Sequence, residues 1–107
     1  MTMSILDRDA LSLIMPGATH VLDMGGRQAV LYYENERRAH MLLPDGTRRH
    51  GEWRLTADGY EVDWQGGPSA AWKLDRRPGG IDYLDAAGTA RGRVTRIEFG
   101  DSAGLAA

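Results

Sequence analysis

The stretch 46–74, GTRRHGEWRLTADGYEVDWQGGPSAAWKL, holds all three tryptophans of the chain, each in its own short alternating run. Turn signals, Ala57-Asp58-Gly59 and Gly66-Gly67-Pro68, separate the runs. Successive side chains on a strand point to opposite faces. Trp53 and Leu55 therefore share a face, with Arg54 opposite. Tyr60, Val62 and Trp64 share another, with Glu61 and Asp63 opposite. Ala70, Trp72 and Leu74 form the third, with Lys73 opposite. The pattern predicts a three-stranded antiparallel meander with one aromatic face and one charged face. A slip of one residue would turn the indoles into water, so the register is strongly specified. Each large aromatic buries roughly 150–250 Å², a gross gain of about 4–6 kcal/mol as an upper bound.

The same grammar extends along the chain. Strands are expected at 19–24, 29–34, 38–43, 49–55, 60–64, 69–75, 81–85 and 89–99. Between them lie Gly25-Gly26, Asn35-Glu36, Pro44-Asp45-Gly46, Pro78-Gly79-Gly80 and Ala87-Gly88, all turn chemistry. No connection is long enough for a parallel crossover. The fold class is therefore all-β: about eight antiparallel strands in an up-and-down meander, closed or nearly closed into a barrel, because closure removes the exposed edges.

One short helix is expected at the N-terminus, over 7–15. Asp7 is its cap, and Leu6 and Leu11 stand at staple spacing. Ala10, Leu11 and Ile14 form its apolar stripe, with Leu13 beside it, and Pro16-Gly17 ends it. A helix this short is marginal alone and must dock, most simply over one end or edge of the sheet. The 107 residues fit one domain, 1–100, followed by a tail, 101–107, of small residues with little to bury, expected to fray.

Composition narrows the function classes. There is no cysteine, so disulfides and thiol chemistry are absent. A net charge of −2 argues against a nucleic-acid partner. The N-terminus carries Asp7 and Asp9 among its apolar residues, which fits neither a signal peptide nor a membrane span. The reading favours a bacterial cytoplasmic protein, or a periplasmic one if a leader precedes the sequence.

Five aromatic residues, Trp53, Tyr60, Trp64, Trp72 and Tyr83, are the candidate ligand-binding set, if the barrel interior is hollow rather than filled. Trp72, between small neighbours, is expected to be the most buried tryptophan, with Trp64 in the barrel mouth. Arginine pairs sit beside turns at Arg37-Arg38, Arg48-Arg49 and Arg76-Arg77. The first and third fall at the same end of the meander. Arg37, Arg38, Arg76 and Arg77 are thus the anion-site candidates, against a plainer reading as a solvated rim balanced by nearby carboxylates. His20, His40 and His50 lie on three different strands, and convergence on a metal is not expected. No metal or cofactor is called for. A Ser69–His50–Asp63 triad is conceivable on residue types alone, and no catalytic residue is assigned.

Leu43-Pro44-Asp45-Gly46-Thr47, Gly51-Glu52-Trp53, Gly59-Tyr60 and Trp64 together give the chain a resemblance to small lipocalin-like (calycin-like) barrels, and to small bacterial barrel proteins with a short leading helix. The resemblance implies a barrel with a small apolar pocket. It transfers no catalytic residue. Three functions follow as expectations. The first is a non-enzymatic binding or interaction module, with another protein or a second copy as partner. The second is a carrier of a small apolar molecule in the tryptophan-lined interior. The third is an enzyme with its site in the barrel mouth.

Overall fold

A computed structural model describes residues 4–106. The parts of the expected domain and tail that fall on residues 1–3 and 107 lie outside the described residues. The helix α1 (Arg8–Ile14) precedes eight strands: β1 (Ala18–Asp23), β2 (Gln28–Tyr33), β3 (Arg38–Leu42), β4 (Arg48–Leu55), β5 (Tyr60–Trp64), β6 (Ser69–Arg77), β7 (Gly80–Leu84) and β8 (Ala90–Phe99). The strands form a closed barrel in sequence order, and β1 pairs antiparallel with β8 to complete it. This is the expected all-β architecture, with every strand bound within two residues of its predicted place.

The inward faces follow the alternation. Leu31 and Tyr33 on β2, Trp53 on β4, Tyr60 and Val62 on β5, Leu74 on β6 and Tyr83 on β7 meet in one core. In the β4–β5 hairpin Trp53 stands opposite Val62 and Leu55 opposite Tyr60. Gly51 stands opposite Trp64, and a Cβ there would collide with the Asp63 carbonyl. The Gly-x-Trp spacing thus lets the β5 backbone pass close to β4.

The two ends of the barrel differ. The helix closes the end that carries the 34–37, 56–59 and 78–79 turns. Asp7 caps it, its carboxylate accepting from the Ala10 N–H at 2.9 Å. Leu11 and Met15 are fully buried in the barrel core, and Leu6 packs against it. Leu13, on the outer side of the helix, stays 75% exposed. Arg8 ties the helix down. Its backbone N–H donates to the Ala57 carbonyl at 3.0 Å, and its guanidinium donates to the Leu55 carbonyl at 2.9 Å.

β6 changes partners along its length. Ser69–Trp72 pairs with β5, and residues 73–77 pair with β7. Where β5 is missing, the N-terminal segment takes its place. Ile5 bridges Asp75, Leu6 N–H donates to the Leu74 carbonyl at 2.8 Å, and Arg76 N–H donates to the Ser4 carbonyl at 2.9 Å. The buried Asp75 carboxylate is satisfied by the Ser4 N–H at 2.8 Å and by Arg77 Nε at 2.9 Å.

Two expectations are corrected by this arrangement. Trp72 is the least buried tryptophan, only half-buried, whereas Trp53 is 2% and Trp64 8% exposed. The cause is the handover on β6: β7 ends at Leu84, opposite Lys73, so residues 69–72 have a strand neighbour on one side only. The tail also has more to bury than its composition implied. Gly100 N–H donates to the Gly17 carbonyl at 2.7 Å, Asp101 accepts from Leu105 N–H at 2.8 Å, and Leu105 is 2% exposed.

Candidate functional site

The end opposite the helix holds an apolar cavity of about 300 Å³. Alternation builds it: each strand that reaches this end sends its inward side chains into the space. β1 and β2 supply Leu22, Ala29 and Leu31; β3 supplies Met41; β5 and β6 supply Trp64, Ala70 and Trp72. Met24, Leu43 and Pro68 from the turns surround the opening. Gly92 on β8 leaves its stretch of wall without a side chain. Two arginines, Arg49 and Arg91, also line the cavity.

Tyr60 and Tyr83 line the cavity too, and belong to a buried hydrogen-bonded cluster below it. The Tyr33 hydroxyl donates to Tyr60 at 2.9 Å and lies 2.7 Å from the Tyr83 hydroxyl. Tyr83 lies 2.7 Å from His20 Nδ1, and His20 Nε2 lies 2.8 Å from the Ile14 carbonyl. A carbonyl only accepts, so Nε2 carries a proton. Burial pushes His20 from its ordinary 6.5 down to about 4, against the raising effect of the Ile14 bond. The ring is therefore neutral at neutral pH, its Nδ1 is an acceptor, and Tyr83 donates to it. With the Tyr83 proton committed to His20, the Tyr33 proton is shared between its two neighbours. Burial raises all three tyrosine hydroxyls above their usual range, so none ionises under ordinary conditions. The cluster joins β1, β2, β5 and β7 to the last turn of the helix, and gives the cavity a rigid floor.

Four of the five aromatic candidates, Tyr60, Trp64, Trp72 and Tyr83, thus border the cavity. Trp53 does not. It packs in the closed end, 5.0 Å from Tyr33 between ring centres, and its indole N–H donates to the Asn35 carbonyl at 2.9 Å. The topology puts Arg37, Arg38, Arg76 and Arg77 at the helix end, far along the strands from the cavity mouth. Arg77 is paired there with Asp75, and Arg38 Nε stands 4.0 Å from Glu34. Arg49, from the pair that was not among the anion candidates, lies at an inward-facing position of β4 and lines the cavity.

The outer wall holds a second cluster, and the sequence reading missed it. His40 and His50 stand directly opposite on β3 and β4, with their Nδ1 atoms 2.6 Å apart. His40 Nε2 lies 2.7 Å from the Glu34 carboxylate, and the His40 ring stacks on Tyr32. The available signal was their equal spacing from the Asp45 turn, which sets the hairpin register. His20 points into the barrel and does not join them. Among the described residues no group of three or more His, Cys, Asp or Glu is arranged to hold a metal. Ser69 stands opposite Asp63 and hydrogen-bonds to it, while Asp63 also accepts from Arg54 at 3.0 Å. The serine thus contacts the acid and not His50, which is not the order a nucleophilic triad needs.

Comparison of the chain with protein-family models, with curated proteins and with solved structures gives no match in any of the three. Among the described residues no helix is long and apolar enough to cross a membrane.

Proposed function

We propose that this protein is a non-enzymatic binding module that holds one small apolar molecule in the open end of its barrel, in the manner of a small lipocalin-like carrier. One observation carries the reading: the inward alternation fills the helix end with Trp53, Tyr33, Leu11 and Met15 but leaves about 300 Å³ unfilled at the other end. That volume stands at the lower limit of ligand pockets, about 300–1,000 Å³. Leu22, Leu31, Met41 and Trp72 give it apolar walls. A closed floor and a single mouth are what a site needs to take a molecule out of water and return it. No nucleophile, metal cluster or phosphate cradle lies at the mouth among the described residues, so binding rather than catalysis is the function argued.

The test uses Trp64 and Trp72 as reporters, since both border the cavity. Titration with an environment-sensitive apolar dye should quench or shift tryptophan emission and saturate at one dye per chain. Filling the cavity by Ala70→Trp should abolish the response while leaving the melting curve cooperative. An unchanged dye response in the filled variant would mean that the dye binds elsewhere and that the cavity is not the site.

A further inference from the structure

We infer that the molecule taken up by the cavity is a single-chain amphipathic carboxylate, its chain against the apolar wall and its head group on Arg49. This rests on the cavity being the ligand site, and adds the chemical class of the ligand. Arg49 shares the inward parity of Gly51 and Trp53 on β4 and stands opposite Met41. Within β1–β5 it is the one charged residue at an inward-facing strand position among the described residues. It is half-buried and makes no hydrogen bond or ion pair among the described residues. Its guanidinium lies over Gly67, in the space a Cβ there would fill. The other arginine of the cavity differs: Arg91 Nε is 2.8 Å from the Asp85 carboxylate.

A partly desolvated guanidinium with no anion beside it is an incomplete arrangement. Its planar fork matches a carboxylate in two parallel hydrogen bonds. The apolar wall begins directly behind it, with Met41 across the β3–β4 pairing and Trp64 beside Gly67. A ligand that satisfies both has a charged end and an apolar body, and a cavity of about 300 Å³ accepts one slim chain rather than a two-chain lipid.

The experiment compares decanoate with decanol, which share a chain and differ in charge. Both are titrated into the full chain at pH 8 and low salt, with tryptophan emission as readout. The parent should bind decanoate about tenfold more tightly, the usual scale of a charge-assisted hydrogen bond. Arg49→Met should erase that preference while keeping decanol binding, and Arg49→Lys should keep part of it. Gly67→Ala displaces the guanidinium without removing its charge, and should also reduce the preference. It serves as the decisive variant if Arg49→Met does not fold. Arg37→Gln, at the opposite end, should bind like the parent. Equal binding of the two ligands by the parent overturns the inference and leaves the cavity reading standing. So does a preference that survives Arg49→Met, or one lost in Arg37→Gln. Failure of both ligands to bind, together with silence toward apolar dyes, overturns the cavity reading itself.

Discussion

The Tyr83 hydroxyl donates to Nδ1 of His20 across 2.7 Å, inside the barrel core. That one contact links the floor of the cavity to the helix that closes the far end, because the same imidazole donates to the Ile14 carbonyl at 2.8 Å. Ile14 is the last residue of α1, where carbonyls lack partners within the helix. His20 therefore supplies a helix-end hydrogen bond from inside the core, and needs its ring neutral to accept from Tyr83 at the same time.

Stability should fall on mild acidification because of this ring. Folding lowers the His20 pKa from 6.5 to about 4. Between those values the unfolded chain binds a proton that the folded chain refuses. Stability from this group is therefore complete above about 6.5, falls as the pH drops toward 4, and falls no further below it. At about 1.4 kcal/mol per pH unit, the loss across the window is roughly 3 kcal/mol. Urea unfolding of the parent and of His20→Gln at several pH values between 4 and 7 measures it. Parallel slopes for the two proteins would show that His20 is not the group responsible.

Trp53 should be the tryptophan whose loss costs most. It is nearly inaccessible, packs on Tyr33 and Tyr60, and carries a satisfied indole N–H. Trp53→Ala should cost about 3–5 kcal/mol, the range for emptying a buried large aromatic, against a total of about 5–15 kcal/mol for such a domain. Trp72→Ala should cost less, because Trp72 is only half-buried and its stretch of β6 has a strand neighbour on one side only. Denaturant midpoints for both variants decide the order, and a larger loss for Trp72→Ala would mean that the seam is closed in solution.

The strands were legible because turn residues and alternation agree at every step, as at Leu55, Ala57-Asp58-Gly59 and Tyr60, where the hairpin register follows from local chemistry alone. Parity also put Tyr60, Trp64 and Trp72 on the aromatic faces of their strands, and all three border the cavity. What failed needed pairings beyond one hairpin. Trp72 is only half-buried because β6 leaves β5 before it meets β7, and no local pattern records where a strand changes neighbours. Leu105 is buried because the tail is pinned through Gly100 and Ser102 to residues 17 and 19, far away in sequence. Arg49 was not among the cavity candidates, although its parity with Trp53 on β4 already places it on the inward face.

The helix should behave as a structural plug. Leu11 is fully buried, and Met15, the C-cap, is as well. Leu11→Ala should cost about 2–5 kcal/mol, while Leu13→Ala, on the exposed side, should change stability by less than about 0.5 kcal/mol. Thermal melts of both variants measure the contrast. Equal melting temperatures would show that the helix does not seal the barrel.

The outer-wall histidines should occupy opposite tautomers. Nδ1 of His40 and Nδ1 of His50 lie 2.6 Å apart, a separation that requires one proton between them and excludes two. The Glu34 carboxylate accepts from His40 Nε2–H at 2.7 Å. In a neutral His40 this fixes the proton on Nε2 and leaves Nδ1 as the acceptor. His50 must then carry its proton on Nδ1, with Nε2 free toward solvent on its exposed side. Long-range nitrogen–proton correlation spectra at pH 8 distinguish the two forms directly: an Nε2–H ring for His40 and an Nδ1–H ring for His50. Glu34→Ala removes the acceptor that orders the pair, and should let His40 sample both tautomers, with exchange broadening of both rings. Identical tautomers in the parent, or spectra untouched by Glu34→Ala, would mean that the chain of bonds from Glu34 through His40 to His50 does not persist in solution.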